Sequence, residues 1–241
     1  MGGRALVTPR FDAVVFDLYG TLVPEFPRSE FWEVVDAMAG VLGCDAAGFR
    51  AEWQRTAVGR QTGAYAGGMP ENVRAICAAI GGGVPTEAAL TQALELRAEL
   101  YRRWFHPRVS ALETLRELAA RGYPMALISM CAPDTPPMWR ASELAPFVAV
   151  EIFSSETGLR KPDPAIYLAA CEGLGVAPER CLYCGDGAYR ELTGAEAVGM
   201  TAYEIRDPTV VTAEQLRPEG EDWQGAGVSD LRELLELLPP L

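Results

Sequence analysis

The sequence predicts an α/β fold, a doubly wound parallel sheet carrying an inserted α-helical cap. Three observations support that expectation. Short, continuously apolar runs alternate with helical patterns, as strands buried on both faces of a parallel sheet require. The first run, FDAVVF over residues 11–16, ends abruptly at Asp17 and is followed by the turn residue Gly20. Residues 28–107 then read as purely helical, so an all-helical block interrupts the sheet after its first strand. The expected division is an α/β core of residues 1–23 plus 108–241 and a helical cap of residues 24–107.

Element by element, helices are predicted over 28–42 and 46–58. The Gly-rich stretch 59–68 breaks the pattern and reads as a loop facing the crevice, where Arg60, Gln61 and Tyr65 are placed to read a substrate. Helices resume over about 70–80 and 86–105, the second with Leu90, Ala93, Leu94, Ala98, Tyr101 and Phe105 as an apolar stripe. Gly81, Gly82 and Gly83 lie between these helices and read as a linker rather than a phosphate loop. After Pro107 come a helix over 110–121, a strand over 124–129, a short helix near 136–143 and a strand over 150–154. A helix over 164–174 ends at Gly175, and a strand over 181–184 runs into Gly185-Asp186. Helix 190–198 and strand 201–205 follow, then a long surface loop over 208–227. Ser229 reads as the N-cap of a last helix with Leu231, Leu234, Leu235 and Leu238 on one face.

Composition excludes several function classes. The chain has 241 residues and a formal net charge of −12, without a basic run, which is a poor match for a phosphate-backbone binder. Its 21 basic residues include a single lysine, Lys161, and it has one histidine, His106, so His-cluster metal sites are excluded. His106, beside Pro107, reads as structural. Trp32, Trp53 and Trp104 read as packing residues of the helical block. No apolar run approaches the roughly 18 residues of a membrane span, and a signal-peptide pattern is not seen, so the expected compartment is the cytoplasm. The six cysteines then read as reduced thiols. Cys181 and Cys184, three apart on a predicted strand, face opposite ways and cannot readily share a metal.

In an open parallel sheet, reactive groups gather at the C-terminal strand ends. Four loops there carry polar residues: Asp17-Leu18-Tyr19-Gly20-Thr21, Ser129, Lys161-Pro162-Asp163, and Gly185-Asp186-Gly187. Paired carboxylates suit Mg²⁺, a hard cation that takes oxygen ligands, while Thr21, Ser129 and Lys161 suit a phosphate or another anion.

With these residues in place, the chain resembles the haloacid dehalogenase-like (HAD) hydrolase superfamily. FDLYGTL (16–22) matches its first motif, ALIS (126–129) its second, LRKPDPAIY (159–167) its third, and CGDG (184–187) with ELTGAEAVGM (191–200) its fourth. The resemblance implies Asp17 as nucleophile, Thr21, Ser129, Met130 and Tyr19 around the transferring group, and Lys161 as its electrostatic partner. It implies a Mg²⁺ ion held by Asp17, the Tyr19 carbonyl and Asp186. The implied substrate is a small anionic metabolite; neither nucleic acid nor membrane is an expected partner.

Two positions depart from the phosphatase pattern. Tyr19 stands where those enzymes carry a second Asp as general acid, and a phenol with a pKa near 10 is a poor base, though it can donate a hydrogen bond. Arg190 stands at an acidic position of motif four, with Glu191 beside it as a candidate contact for metal-bound water. The D-x-Y-G-T-L form is similar to that of L-2-haloacid dehalogenases, which need no metal. Those enzymes, however, have a Ser-Ser-Asn-type motif four where this chain has Gly185-Asp186-Gly187. They have Asn where this chain has Met130, and a cap arginine with no motif match here. A second carboxylate beside Asp17 is costly without a cation, which favours phosphoryl chemistry. The expectation is a Mg²⁺-dependent phosphatase acting through an aspartyl-phosphate at Asp17. The alternatives are metal-free C–halogen hydrolysis and a catalytically weakened binding protein.

Overall fold

The computed structural model describes residues 11–65, 67–208 and 214–241. The first ten residues of the expected core, Ala66 of the expected Gly-rich loop and 209–213 of the expected surface loop lie outside the described residues. In chain order the elements are β1 (Ala13–Phe16), α1 (Arg28–Val41), α2 (Ala46–Arg55), α3 (Ala57–Gln61), α4 (Gly68–Ala79) and α5 (Glu87–Trp104). There follow α6 (Ala111–Ala120), β2 (Met125–Ser129), α7 (Thr135–Arg140), β3 (Val150–Phe153), α8 (Ser154–Thr157) and α9 (Pro164–Leu174). The chain closes with β4 (Cys181–Gly185), α10 (Glu191–Ala197), β5 (Thr201–Ile205), β6 (Gly227–Val228) and α11 (Leu234–Leu237).

The six strands form one parallel sheet in the order β3-β2-β1-β4-β5-β6. Winding proceeds outward from β1 in one direction and from β4 in the other, so the fold is the doubly wound α/β class expected. The switch point lies between β1 and β4, where diverging loops leave a crevice. Alternation along the strands builds both faces. Val14, Phe16, Leu127, Leu182 and Cys184 pack with Leu115, Leu118 and Leu234 on one side. Val15, Ile128, Cys181 and Tyr183 pack with Ile166, Ala170 and Leu192 on the other. Cys181 and Cys184 thus face opposite layers, which rules out a shared metal. All six cysteines are free thiols.

Helices α1, α2, α4 and α5 build a separate apolar cluster that includes Val35, Met38, Phe49, Trp53, Ile76, Leu90 and Tyr101. Trp32 and Trp104 pack against it partly buried. The α5 stripe is buried at Leu90, Ala93 and Tyr101, but Arg97 lies buried on the same face. Among the described residues no helix is long and apolar enough to cross a membrane.

Four local readings are corrected. The helix read over 46–58 breaks at Thr56, whose hydroxyl turns back to the Glu52 carbonyl at 2.7 Å. Residues 59–61 of the expected Gly-rich loop belong to α3, because Arg60 and Gln61 extend a helical turn restarted at Ala57. Arg190 lies outside α10: Tyr189 and Arg190 both take φ of 54°, in the left-handed region. The terminal helix is capped by Asp230, whose carboxylate accepts from Arg232 N at 2.8 Å, and not by Ser229.

The described part of 208–227 is also more than a surface loop. Gln215 pairs with Pro27, and Leu216 N donates to the Phe26 carbonyl at 2.9 Å. Pro218 accepts from Tyr189 N at 2.8 Å, and Glu221 N donates to the Gly187 carbonyl at 3.1 Å. This strap ties the linker before α1 to the loop after β4.

Candidate active site

Asp17 is delivered by β1, which is fully buried along its length, and its amide donates to the Cys184 carbonyl of β4 at 2.9 Å. Its Oδ1 accepts from Lys161 Nζ at 2.5 Å, while its Oδ2 is buried without a partner. Lys161, 1% exposed, donates equally to Glu191 Oε2 at 2.5 Å. Glu191 is fully buried and spoken for on both oxygens: Tyr183 Oη donates to Oε2 at 2.7 Å and Gly187 N to Oε1 at 2.9 Å. This carboxylate holds Lys161 and the β4 loop in place.

One ammonium shared between two buried carboxylates decides the electrostatics. Burial works against the Lys161 charge, but Asp17 and Glu191 outweigh it and hold its pKa above the ordinary lysine value. Asp17 is left short of positive charge: burial, with Glu191 repelling it, pushes its carboxyl up to about 7 despite Lys161. Asp186, at the end of β4, is pushed well above the carboxylate range by burial and then by Glu191 and Asp17. Its Oδ1 accepts from Ala188 N at 2.9 Å, and its Oδ2 lies 3.5 Å from Arg217 Nε. Carboxylate oxygens of Asp17, Asp186 and Glu191 all lie within 4.8 Å of one another. Gly20, at φ +80°, allows that approach, because a Cβ there would stand 2.7 Å from Asp186 Oδ2.

The hydroxyls of Thr21 and Ser129 are buried and have no hydrogen-bond partner among the described residues. Two orphaned donors beside a buried ammonium are what a bound anion would satisfy. Met130, the next residue, is buried with its sulfur 3.4 Å from Lys161 N.

The Tyr19 side chain agrees with the expectation of a poor base. Its hydroxyl is bonded to Thr135 Oγ1 at 3.0 Å, and its ring stands 5.1 Å from that of Phe26. Burial, with Tyr101 adding to it, pushes the phenol well above its usual pKa. Tyr19 is thus a protonated wall that joins the core to the helical block.

A cavity of about 280 Å³ opens beside this cluster, lined by Tyr19, Met130 and Tyr189 from the core side and Trp53, Arg60 and Arg97 from the helical side. Gln61 also lines it and donates to Tyr189 Oη at 2.7 Å. Tyr65 does not line it; its ring packs over Gly59. His106 and Arg190 are exposed and take no part in the cluster.

A model of the haloacid dehalogenase-like hydrolase family matches residues 11–199, well over half of the chain and including all four polar loops. The chain belongs to that family. Among curated relatives, this HAD-like chain is 32% identical to a phosphoserine phosphatase of Thermus thermophilus over 173 residues, 71% of this chain and 66% of that one. It is 31% identical to a phosphoglycolate phosphatase of Escherichia coli over 111 residues, 41% of this chain and 44% of that enzyme. These matches span from under half to about two thirds of the relatives' lengths. Among solved structures, a HAD phosphatase from Thermococcus onnurineus superposes with a TM-score of 0.65 at 20% identity, covering 96% of this chain and 100% of the other. An L-2-haloacid dehalogenase from Xanthobacter autotrophicus gives 0.60 at 24% identity, covering 94% and 98%. At such identities the likeness is one of fold.

Sequence reasoning about this HAD-like hydrolase missed two arginines, Arg97 and Arg217, and one acid, Glu25, while Arg60 was among its candidates but placed in a loop rather than in α3. Arg97 falls four residues after Ala93 and four before Tyr101, so a charge on the apolar stripe was visible as a signal. Arg60 is seven residues beyond Trp53, two helical turns, and its guanidinium lies 4.1 Å over that indole. Arg217 gave no local signal; it donates to the Asp186 carbonyl and lies 3.1 Å from Glu204. Glu25 lines the same cavity, its carboxyl pushed well up by burial and by Asp186.

Proposed function

We propose that this HAD-like hydrolase is a Mg²⁺-dependent phosphatase of a small phosphorylated metabolite, with residues 24–107 acting as a cap over a core of 1–23 and 108–241. The observation that carries the reading is the convergence of Asp17, Asp186 and Glu191 within 4.8 Å, three carboxylates served among the described residues by two side-chain cations, Lys161 and Arg217. Buried acids in such excess fit a divalent cation. The Asp17 oxygen that does not attack, Asp186 and the Tyr19 carbonyl are the candidates to hold it. Bound there, Mg²⁺ would supply charge neutralisation for the phosphoryl oxygens.

The chain's own residues provide the rest. Asp17 Oδ2, the oxygen free of Lys161, attacks phosphorus, the P–O bond to the leaving group breaks, and an aspartyl-phosphate forms. Thr21, Ser129 and Lys161 donate to the transferring oxygens. Water then cleaves the acyl phosphate and regenerates Asp17. Tyr19 is engaged by Thr135 and stays protonated, so it gives no base catalysis. Losing such help removes roughly 10²–10⁴ in rate, which falls mainly on poor leaving groups. Acyl and aryl phosphates are accordingly the better substrates.

Metal-free C–halogen hydrolysis is the second reading, favoured by Arg217, a built-in cation at Asp186. The test sets phosphate release from acetyl phosphate and p-nitrophenyl phosphate, with Mg²⁺ or EDTA, against halide release from 2-chloropropionate. The phosphatase reading expects Mg²⁺-dependent phosphate release that Asp17→Asn abolishes. Halide release in EDTA without phosphate release overturns it.

A further inference from the structure

Two helices of the helical block end in the same way, and their ends meet. After α1, Gly43 takes φ of +69° and Cys44 N donates to the Ala39 carbonyl at 2.9 Å. After α4, Gly81 takes φ of +73° and Gly82 N donates to the Cys77 carbonyl at 2.9 Å. In such an ending the residue after the left-handed glycine folds back and makes an apolar contact with the last turn. Cys44 holds that position after α1. After α4 the position is Gly82, which has no side chain to offer, and Cys44 fills the space instead: a Cβ on Gly82 would stand 2.9 Å from the Cys44 sulfur. The sulfurs of Cys44 and Cys77 are thereby brought to 3.6 Å.

The backbone on both sides of this contact is fixed. Asp45, next to Cys44, caps α2 by accepting from Gly48 N at 2.7 Å, and Cys77 lies in the last turn of α4. The remaining approach to the roughly 2.05 Å of an S–S bond is small enough for rotation of the two side chains. The thiols differ in access. Cys44 is partly exposed, whereas Cys77 is 1% exposed, and burial, with Cys44 beside it, pushes the Cys77 thiol up to about 12. Cys44 is thus the sulfur that an oxidant meets first. A second pair, Cys171 and Cys181, brings its sulfurs to 3.8 Å, but both of those thiols are buried in the core. Neither Cys44 nor Cys77 lines the cavity beside Asp17.

We propose that Cys44 and Cys77 are an oxidation site, a thiol pair that hydrogen peroxide converts to a disulfide fastening the α1–α2 corner to the end of α4. The Cys44 sulfur attacks one peroxide oxygen, the O–O bond breaks, and a sulfenic acid and water form. The Cys77 sulfur, giving up its proton, then attacks the Cys44 sulfur, the S–O bond breaks and a second water leaves. Two thiols and one peroxide give one disulfide and two waters, with two electrons passing from sulfur to oxygen. The link bridges a sequence separation of 33 and encloses α2 and α3. Because such a link chiefly restricts the unfolded chain, the oxidised form is the more stable one. The site stands independently of the phosphatase reading.

The experiment treats the full chain, reduced and then freed of reductant, with a small molar excess of hydrogen peroxide. Free thiols counted in denaturant are expected to fall by two from the six of the reduced chain. Peptide mapping without reduction is expected to recover a Cys44–Cys77 link within a monomer. The thermal midpoint of that monomer is expected to lie about 5–10 °C above that of the reduced protein, and dithiothreitol to bring it back. Cys77→Ser keeps the first step and lacks the second, so it is expected to accumulate a sulfenic acid at Cys44 that dimedone labels. Cys44→Ser, at a partly exposed position, is expected to lose no thiol to the same treatment and guards against a folding defect in the Cys77 variant.

Survival of all six thiols in the treated wild type overturns the oxidation site, as does a link that maps to Cys171–Cys181 or joins two chains. Loss of thiols without any link, through further oxidation of Cys44, overturns it as well, since Cys77 then fails to complete the second step. A Cys44–Cys77 link that leaves the midpoint unchanged overturns the role of the bond as a fastening.

Discussion

Lys161 is the residue on which the site turns. This chain uses arginine everywhere else that it needs a positive charge, and writes lysine at the one place where two carboxylates converge. The geometry explains the choice. A single nitrogen reaches Asp17 Oδ1 and Glu191 Oε2, each at 2.5 Å, in a pocket where the side chain is 1% exposed and Tyr183 lies 5.8 Å away. A guanidinium is larger and planar, and it cannot place one atom between both acids. Lys161→Arg is therefore expected to lower kcat by about 10²–10³, the scale of losing one fixed donor to a developing charge. Overpacking of about 1–3 kcal/mol leaves a protein of ordinary stability folded. The check is phosphate release beside circular dichroism and a urea midpoint. An active Lys161→Arg enzyme removes the positional role given to the ammonium.

At the scale of the element, the turn between β4 and α10 shows how motif-four residues are aimed. Gly187, Tyr189 and Arg190 all take positive φ, and the tight path brings Asp186 and Glu191 to one side of the crevice. Two successive non-glycine residues in the left-handed region cost about 1–2 kcal/mol each. Tyr189 is held there by Pro218 and Gln61, while Arg190 is exposed. Arg190→Gly relieves the strain at some loss of chain entropy, and is expected to raise the thermal midpoint by about 2 °C. Arg190→Val, β-branched and ill-suited to that φ, should lower it. Calorimetry of the three proteins checks both signs; a lower midpoint for Arg190→Gly would remove the strain argument. The same turn marks the limit of what the sequence made legible. Strands β1, β2 and β4 were visible because both of their faces are buried, so they read as unbroken apolar runs. Asp17, Ser129 and Asp186 were visible because they stand where those runs end, and Lys161 because it is the single lysine of the chain. Arg97 and Arg217 were not, because a long flexible side chain is placed by tertiary packing rather than by local pattern. The break of α2 at Thr56, which aims Arg60 into the cavity, depends on a hydroxyl-to-carbonyl bond that spacing alone does not announce.

At the scale of the whole molecule, acidic loops from both sides of the β1/β4 switch point meet where the sheet offers least water. The resulting balance between charge and stability can be measured. Asp17 has a folded-state pKa of about 7, well above the ordinary carboxylate value it regains on unfolding. A group raised on folding stabilises the fold fully below its unfolded pKa and loses that contribution as pH climbs through the folded one. The metal-free protein is therefore expected to lose stability between pH 6 and pH 8. A divalent cation binds the ionised carboxylates and opposes that loss, so its effect must grow over the same interval. At one hundred times its dissociation constant, Mg²⁺ would add about 2.7 kcal/mol at pH 8, or about 5–10 °C in a protein of this size. The shift should be smaller at pH 6, where the cation competes with the proton on Asp17. Asp186→Asn removes one of the proposed ligands and should abolish most of the shift at either pH. Thermal melts at pH 6 and 8, with EDTA or Mg²⁺, carry the decision. A midpoint indifferent to Mg²⁺ at both pH values means that Lys161 and Arg217 already neutralise the site, and it returns this chain to metal-free C–halogen chemistry.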